Sequence, residues 1–134
     1  MIVADTNLIV YFVVQGASTS QAERVRAKDK EWVVPRLHRY EVLNVLTDHV
    51  RRGILTKDEA LRASRRAGSL VTVSEVDSDP AALLAMWEAS GCTTYDLEYV
   101  WLAKELDVPL VTADGAVLRA YPGVAISIAG FTGA

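Results

Sequence analysis

Five short apolar segments, each rich in β-branched residues, are spaced along this chain and separated by longer stretches with helical patterning. Each is too short for a helix and is typical of a buried strand. Because parallel neighbours in a sheet need crossover connections, this alternation predicts an α/β sandwich with a mostly parallel sheet covered on both faces. The five segments are Ile2-Val3-Ala4, Trp32-Val33-Val34, Val71-Thr72-Val73, Leu110-Val111-Thr112 and Val124-Ala125-Ile126.

Helix start and stop signals fill the intervals between these segments. Ser20 is followed three residues later by Glu23, and Thr56 is followed three residues later by Glu59. Both pairs have the spacing of a capping box, so each predicts a helix N-terminus. Gly91 follows a further helical stretch, at the position where a left-handed C-terminal residue is favoured.

Length and composition limit the class of protein. No repeat, low-complexity stretch or linker divides the 134 residues, so we expect a single domain over 1–134. The 51% hydrophobic and 23% charged content excludes a disordered chain, and the apolar runs are too short to cross a membrane. A lone Cys92 and an N-terminus without a secretory pattern predict a reducing, cytoplasmic location.

Two aspartates follow predicted strands. Asp5 comes directly after Ile2-Val3-Ala4, and Asp114 comes two residues after Leu110-Val111-Thr112. Because parallel strands point one way, we expect both carboxylates at the same sheet edge, where ligands bind in open α/β sheets. Capping of the following helix is the structural alternative, and it is a common role for aspartate. Since a capping geometry does not forbid a metal contact, both roles remain open.

Two further acids lie on predicted helices. Glu41 is at the rim of the buried face of the helical stretch 37–52, so it either extends into solvent or points into a polar cleft. Asp96 lies in a first helical turn, where the helix dipole favours an acid.

His38 and His49 are interpreted as surface or packing residues. A cluster of carboxylates without His or Cys ligands suits Mg²⁺ or Mn²⁺ better than zinc, and such sites activate water for phosphodiester hydrolysis.

Four motifs spread over essentially the whole chain carry a resemblance to a known family. They are the opening "ADTNLIV", the "YEVLNVL" that follows "VVP", the segment "TTYDLEYVWLAKELDVPLVTAD" and the closing "YPGVAISI". On these motifs the chain resembles PIN-domain ribonucleases and, within them, the VapC-type toxins of toxin–antitoxin pairs. The third motif is the most specific of the four. The fold that this resemblance implies is a three-layer α/β/α sandwich with a mostly parallel five-stranded sheet.

The resemblance also implies roles for particular residues. It implies a Mg²⁺- or Mn²⁺-dependent endoribonuclease that hydrolyses RNA by metal-activated water and leaves 5′-phosphate and 3′-hydroxyl ends. Its implied partners are RNA, a cognate antitoxin and a second copy in a homodimer. Asn7 and Thr112 would hydrogen-bond the carboxylates or their waters. The absence of a further acid near Asp114 leaves open whether one or two metals bind. The implied catalytic and metal-binding quartet is Asp5, Glu41, Asp96 and Asp114.

The net charge of −3 argues at face value against a nucleic-acid partner. Metal binding to the acids would offset that charge, and clustered arginines then provide one possible RNA path. A solvated helix face and an oligomer interface are the alternative interpretations of the same cluster. The tryptophans Trp32, Trp87 and Trp101 are expected in the core. The arginines are Arg51, Arg52, Arg62, Arg65 and Arg66.

Other functions compete with the toxin interpretation. A housekeeping RNA-processing PIN nuclease has the same residues, whereas a PIN-like domain that binds without cutting would not need all the acids. A receiver-like Mg²⁺-binding signalling module needs a lysine near a late strand, but the last lysine, Lys104, lies inside a predicted helix. A haloacid dehalogenase-like phosphatase needs a second aspartate where this chain has Asn7.

Overall fold

A five-stranded, all-parallel sheet forms the centre of the computed structural model, which describes residues 1–133. The expected domain extends to Ala134, which lies outside the described residues. The sheet confirms the predicted α/β class, and only β5 begins one residue later than predicted. The strands are β1 (Ile2–Ala4), β2 (Trp32–Val34), β3 (Val71–Val73), β4 (Leu110–Thr112) and β5 (Ala125–Ser127).

The strand order is β3-β2-β1-β4-β5, so the first strand lies in the middle of the sheet. Val3 of β1 pairs with Val33 on one side and with Leu110 on the other. Chain order therefore reverses at β1, and its carboxyl end lies beside that of β4. This is the position at which ligands bind in open α/β sheets.

Helices connect the strands and cover both faces of the sheet. No helix within residues 1–133 is long and apolar enough to span a membrane. The helices are α1 (Thr6–Val13), α2 (Thr19–Lys28), α3 (His38–Arg51), α4 (Lys57–Leu70), α5 (Pro80–Ser90), α6 (Thr94–Leu106), α7 (Gly115–Ala120) and α8 (Ile128–Thr132).

Successive residues of β1, β2, β4 and β5 contribute to two separate cores, because side chains alternate between the faces of a sheet. Ile2 and Ala4 pack on the face that carries α1, α2, α3, α4 and α8. Val3 and Leu110 pack on the face that carries α5, α6 and α7. Both faces are thus covered, which gives the three-layer α/β/α architecture and explains why β1 and β2 are apolar and buried throughout.

The two predicted capping boxes had different outcomes. Thr56 and Glu59 form the box at the start of α4, with reciprocal bonds of 3.1 Å and 2.9 Å. The Ser20 prediction was wrong, because α2 begins at Thr19 and Ser20 is its second residue, two positions after the N-cap Ser18. The Thr19 hydroxyl accepts from the Gly16 amide and donates to the Val14 carbonyl, so it secures the preceding turn.

Replacing Thr56 with alanine is expected to lower the free energy of unfolding by about 1 kcal/mol, because the N-terminus of α4 loses its side-chain acceptor. Ser20→Ala is the matched control, and its effect is expected to stay within about 0.5 kcal/mol. Urea denaturation of both variants measures the difference. Equal destabilisation by the two substitutions would contradict the capping assignment.

The tryptophan prediction was correct only in part. Trp32 is buried and Trp101 is half-buried, but Trp87 is 52% exposed. Only Leu83 of α5 is fully buried. Since α5 is apolar around most of its circumference, its sequence has no polar face from which the exposed side could have been inferred.

Candidate functional site

Asp5 lies at the carboxyl end of β1 and caps α1. Its Oδ1 accepts a hydrogen bond from the Thr6 amide at 2.8 Å, and its Oδ2 accepts one from the Thr112 hydroxyl at 2.6 Å. The side chain is only 8% exposed. The capping role considered for Asp5 is therefore real, and the same carboxylate also reaches across to β4.

Asn7 and Thr112 hold the ends of β1 and β4 together. Asn7 Nδ2 lies 3.5 Å from Asp5 Oδ2 and 3.4 Å from Thr112 Oγ1. Asn7 Oδ1 accepts from the Ala113 amide, and Thr112 Oγ1 accepts from the Asp114 amide. These two polar side chains thus fix the Asp5 carboxylate relative to the chain segment that carries Asp114.

Asp114 caps α7, as the structural alternative predicted. Its Oδ1 accepts from the amides of Ala116 and Val117 at 2.9 Å and 3.2 Å. Within residues 1–133 the structure shows no hydrogen bond to its Oδ2. One carboxylate oxygen is therefore held by the helix N-terminus, while the other has no protein partner there.

Glu41 extends inward from the first turn of α3. Its Oε1 accepts from the Tyr99 hydroxyl at 2.6 Å and from the Thr6 hydroxyl at 3.0 Å. Of the two orientations considered from the sequence, the structure has the one directed into the cleft. Asp96 lies in the first turn of α6, which Thr93 caps by accepting from the Asp96 amide at 3.1 Å.

One open cleft of about 540 Å³ is lined by all four acids: Asp5, Glu41, Asp96 and Asp114. They come from the end of β1, from α3, from α6 and from the end of β4, so the fold brings together residues far apart in sequence. The cleft also has apolar lining. Its lining includes Val10, Tyr11, Val14, Val45, His49 and Ile54.

Comparison with known proteins identifies the family. The family described as PIN domain matches residues 2–123 of this chain. The chain belongs to the PIN-domain family. A relative, Ribonuclease VapC3 of Pyrobaculum aerophilum, is 31% identical over 126 residues, which span 92% of this chain and 96% of the relative. This relationship places the chain among the VapC-type PIN proteins, as its motifs predicted.

A solved structure shares the fold of this PIN domain. The crystal structure of PAE2754 from Pyrobaculum aerophilum superposes with a TM-score of 0.80, covering 98% of this chain and 91% of that one. At 21% sequence identity the likeness concerns the fold. It confirms the α/β/α architecture, and membership of the family sets aside the receiver-like and dehalogenase-like alternatives.

Burial and nearby charges disfavour ionisation of two acids in the PIN-domain cleft, Asp5 and Asp96. The pKa of Asp5 is raised to about 6, mainly by burial; the hydrogen bonds from Thr112 and Thr6 oppose this rise, and the charges of Glu41 and Asp96 add to it. Burial also raises the pKa of Asp96, with a contribution from the charge of Asp114. A cation at this site would relieve the repulsion.

The donor set of this cleft fits a hard divalent cation. Its four acids offer carboxylate oxygens, which Mg²⁺ and Mn²⁺ prefer, and no cysteine lines the cleft. Within residues 1–133, no three Asp, Glu, His or Cys side chains are clustered tightly enough to hold a metal ion as they stand. The PIN domain thus presents separate carboxylates around an open cleft rather than a closed coordination shell.

Three residues in or behind the cleft were missed or misjudged from the sequence. Thr6 bonds Glu41 through its hydroxyl, and its position directly after Asp5 was the available signal. Tyr99 bonds Glu41 from one helical turn beyond Asp96, a spacing that places both on one side of α6. His49 lines the cleft, although its sequence position indicated a surface or packing role, and its Nδ1 lies 2.8 Å from the Val45 carbonyl.

Proposed function

We propose that this PIN domain is a Mg²⁺- or Mn²⁺-dependent endoribonuclease that acts as the toxin of a toxin–antitoxin pair. The observation that carries the proposal is the convergence of four carboxylates on one cleft at the switch point of the sheet. A curated relative named as a ribonuclease of the VapC type supports the same activity. The reaction would be hydrolysis of RNA phosphodiester bonds, with water as the nucleophile.

The residues that would hold the cation are Asp5, Glu41, Asp96 and Asp114. A bound divalent ion supplies Lewis-acid activation of water and stabilises the leaving oxygen. The protein's own contribution is orientation. Thr112 and Asn7 hold Asp5, and the N-terminus of α7 holds one oxygen of Asp114.

The surface beside the cleft supports an RNA path. A second groove of about 380 Å³ is lined by Arg62 and Arg66 of α4, and it shares Val14, Gln15 and Ile54 with the acidic cleft. Exposed guanidinium groups therefore border the side of the cleft lined by Val14 and Ile54, where they can contact RNA phosphates. Single-stranded or loop RNA is the substrate form that such an open cleft accepts.

The proposal includes protein partners as well as RNA. As a VapC-type toxin in the cytoplasm, the chain would bind a cognate antitoxin and form a homodimer. Exposed large apolar side chains on two helices offer surface for such contacts. These side chains are Tyr40 and Leu43 of α3, and Leu84 and Trp87 of α5.

Removal of metal is expected to abolish cleavage. Purified, antitoxin-free protein is incubated with hairpin RNAs of randomised loop sequence in Mg²⁺, in Mn²⁺ or in EDTA. Because a metal contributes several kcal/mol to this reaction class, EDTA should lower the rate by at least about 100-fold, and added Mn²⁺ should restore it. The products should carry 5′-phosphates. Cleavage that persists in EDTA, or products with 2′,3′-cyclic phosphates, would contradict the proposed mechanism.

A further inference from the structure

Three side-chain oxygens form a closed triangle on the buried side of the cleft. The Tyr99 hydroxyl lies 2.6 Å from Glu41 Oε1, the Thr6 hydroxyl lies 3.0 Å from the same atom, and the two hydroxyls are 2.8 Å apart. Tyr99 is 1% exposed and Thr6 is 8% exposed. The triangle therefore lies where water cannot readily replace a lost partner.

The protons available determine how the triangle is bonded. Glu41 Oε1 is the acceptor in both of its bonds, while Tyr99 and Thr6 have one hydroxyl proton each. The tyrosine donates to Glu41 Oε1, and the threonine donates either to the same oxygen or to the tyrosine. Thr6 thus supports Oε1 either directly or through the Tyr99 hydroxyl, and within residues 1–133 the structure shows no hydrogen bond to Oε2.

Glu41 needs such a restraint more than the other acids do. Asp5 and Asp114 are short side chains held by backbone amides at helix N-termini. Glu41 has a longer side chain on α3, and in the absence of partners the solvated orientation considered from the sequence would compete with the one directed into the cleft. The rigid, buried ring of Tyr99 provides a fixed donor on the neighbouring α6.

We propose that Tyr99 is a positioning residue which, together with Thr6, holds Glu41 through Oε1 and leaves Oε2 for the cation. This inference rests on the proposed function, since it assigns a partner to one of the proposed metal ligands. Tyr99 lies three residues after Asp96, so one turn of α6 both presents an acid to the cleft and orients a second acid from α3.

Tyr99→Phe removes the hydroxyl and keeps the ring. Mn²⁺ affinity, measured by calorimetry on metal-free protein without RNA, is expected to fall about 10- to 100-fold, as when other residues that orient metal ligands are removed. RNA cleavage should fall at limiting Mn²⁺ and recover at saturating Mn²⁺. Tyr121→Phe is the matched control, because its half-buried hydroxyl lies 3.5 Å from the Met86 carbonyl and outside the cleft.

A double-mutant cycle tests whether Tyr99 acts through Glu41. In a Glu41→Gln background, Tyr99→Phe is expected to change Mn²⁺ affinity by less than about twofold, because the ligand that it positions has already been impaired. A purely structural role would give the same loss in both backgrounds. Thermal unfolding checks each variant, and Thr6→Val, which removes the other donor, replaces Tyr99→Phe if the latter does not fold.

The outcomes separate this inference from the proposed function. Wild-type Mn²⁺ affinity in Tyr99→Phe, alongside weakened binding in Glu41→Gln, would overturn the role of Tyr99 and leave the nuclease proposal intact. Equal losses in both backgrounds would also overturn it. A wild-type protein that neither binds Mn²⁺ nor cleaves RNA would overturn the proposed function, and the inference with it.

Discussion

Asp5→Asn is expected to lower metal-dependent RNA cleavage by at least about 100-fold while leaving the fold intact. The amide removes the negative charge from the proposed ligand at the centre of the site, and loss of a residue that merely orients a ligand already costs 10- to 100-fold. The asparagine side chain has nearly the same shape. Its oxygen can still accept from the Thr6 amide, so the N-cap of α1 survives.

The measurement is the cleavage rate at a fixed Mn²⁺ concentration, with the circular dichroism spectrum as the check on folding. Asp107→Asn is the matched control. Asp107 is exposed at the end of α6 and has φ 53°, a left-handed conformation that asparagine also adopts. Cleavage by Asp5→Asn at the wild-type rate would contradict the assignment of Asp5 to the site.

The stability of the metal-free protein is expected to depend on pH through Asp5. Burial raises the pKa of its carboxyl from the ordinary value of 3.8 to about 6 in the folded protein. The stabilising contribution of the protonated form is therefore complete below about pH 4 and is lost as pH rises through about 6. A difference of about two pKa units corresponds to about 3 kcal/mol in the free energy of unfolding.

Denaturant unfolding in EDTA between about pH 4 and pH 8 measures this dependence. Other carboxyls titrate over the same range, so the informative quantity is the difference between wild type and Asp5→Asn. Wild type should lose stability relative to the variant as pH rises, by about 3 kcal/mol at pH 7. Mn²⁺ at pH 7 should then stabilise wild type more than the variant. Parallel pH curves for the two proteins would contradict the prediction.

Much of the fold could be predicted from local sequence. The β-branched runs predicted four strands with the bounds that the structure has, and the Thr56–Glu59 spacing predicted the start of α4. These signals succeed because strand and cap preferences depend on a few neighbouring residues. The capping prediction for Ser20 was wrong because its neighbour Thr19 is already the first residue of α2. The core prediction for Trp87 was wrong because α5 has no clear polar face.

The residues of the candidate site were likewise predictable from the sequence only in part. The positions of Asp5 and Asp114 after parallel strands, together with the family motifs, were enough to predict that these acids lie at one sheet edge. Glu41 remained ambiguous in the sequence, because a glutamate at the rim of a helix can face either solvent or a cleft. Its orientation depends on hydroxyl groups from α1 and α6, which no local pattern in α3 contains.

The sequence by itself determined the α/β class, the strands and the family, because hydrophobic periodicity and motif spacing are properties of short segments. Only the tertiary structure decided which polar side chains meet. The triangle of Thr6, Glu41 and Tyr99, and the place of His49 in the cleft, follow from the packing of α1, α3 and α6 around the end of β1. Whether a hydrogen bond forms depends on differences of a few tenths of an ångström between donor and acceptor, and packing sets that distance.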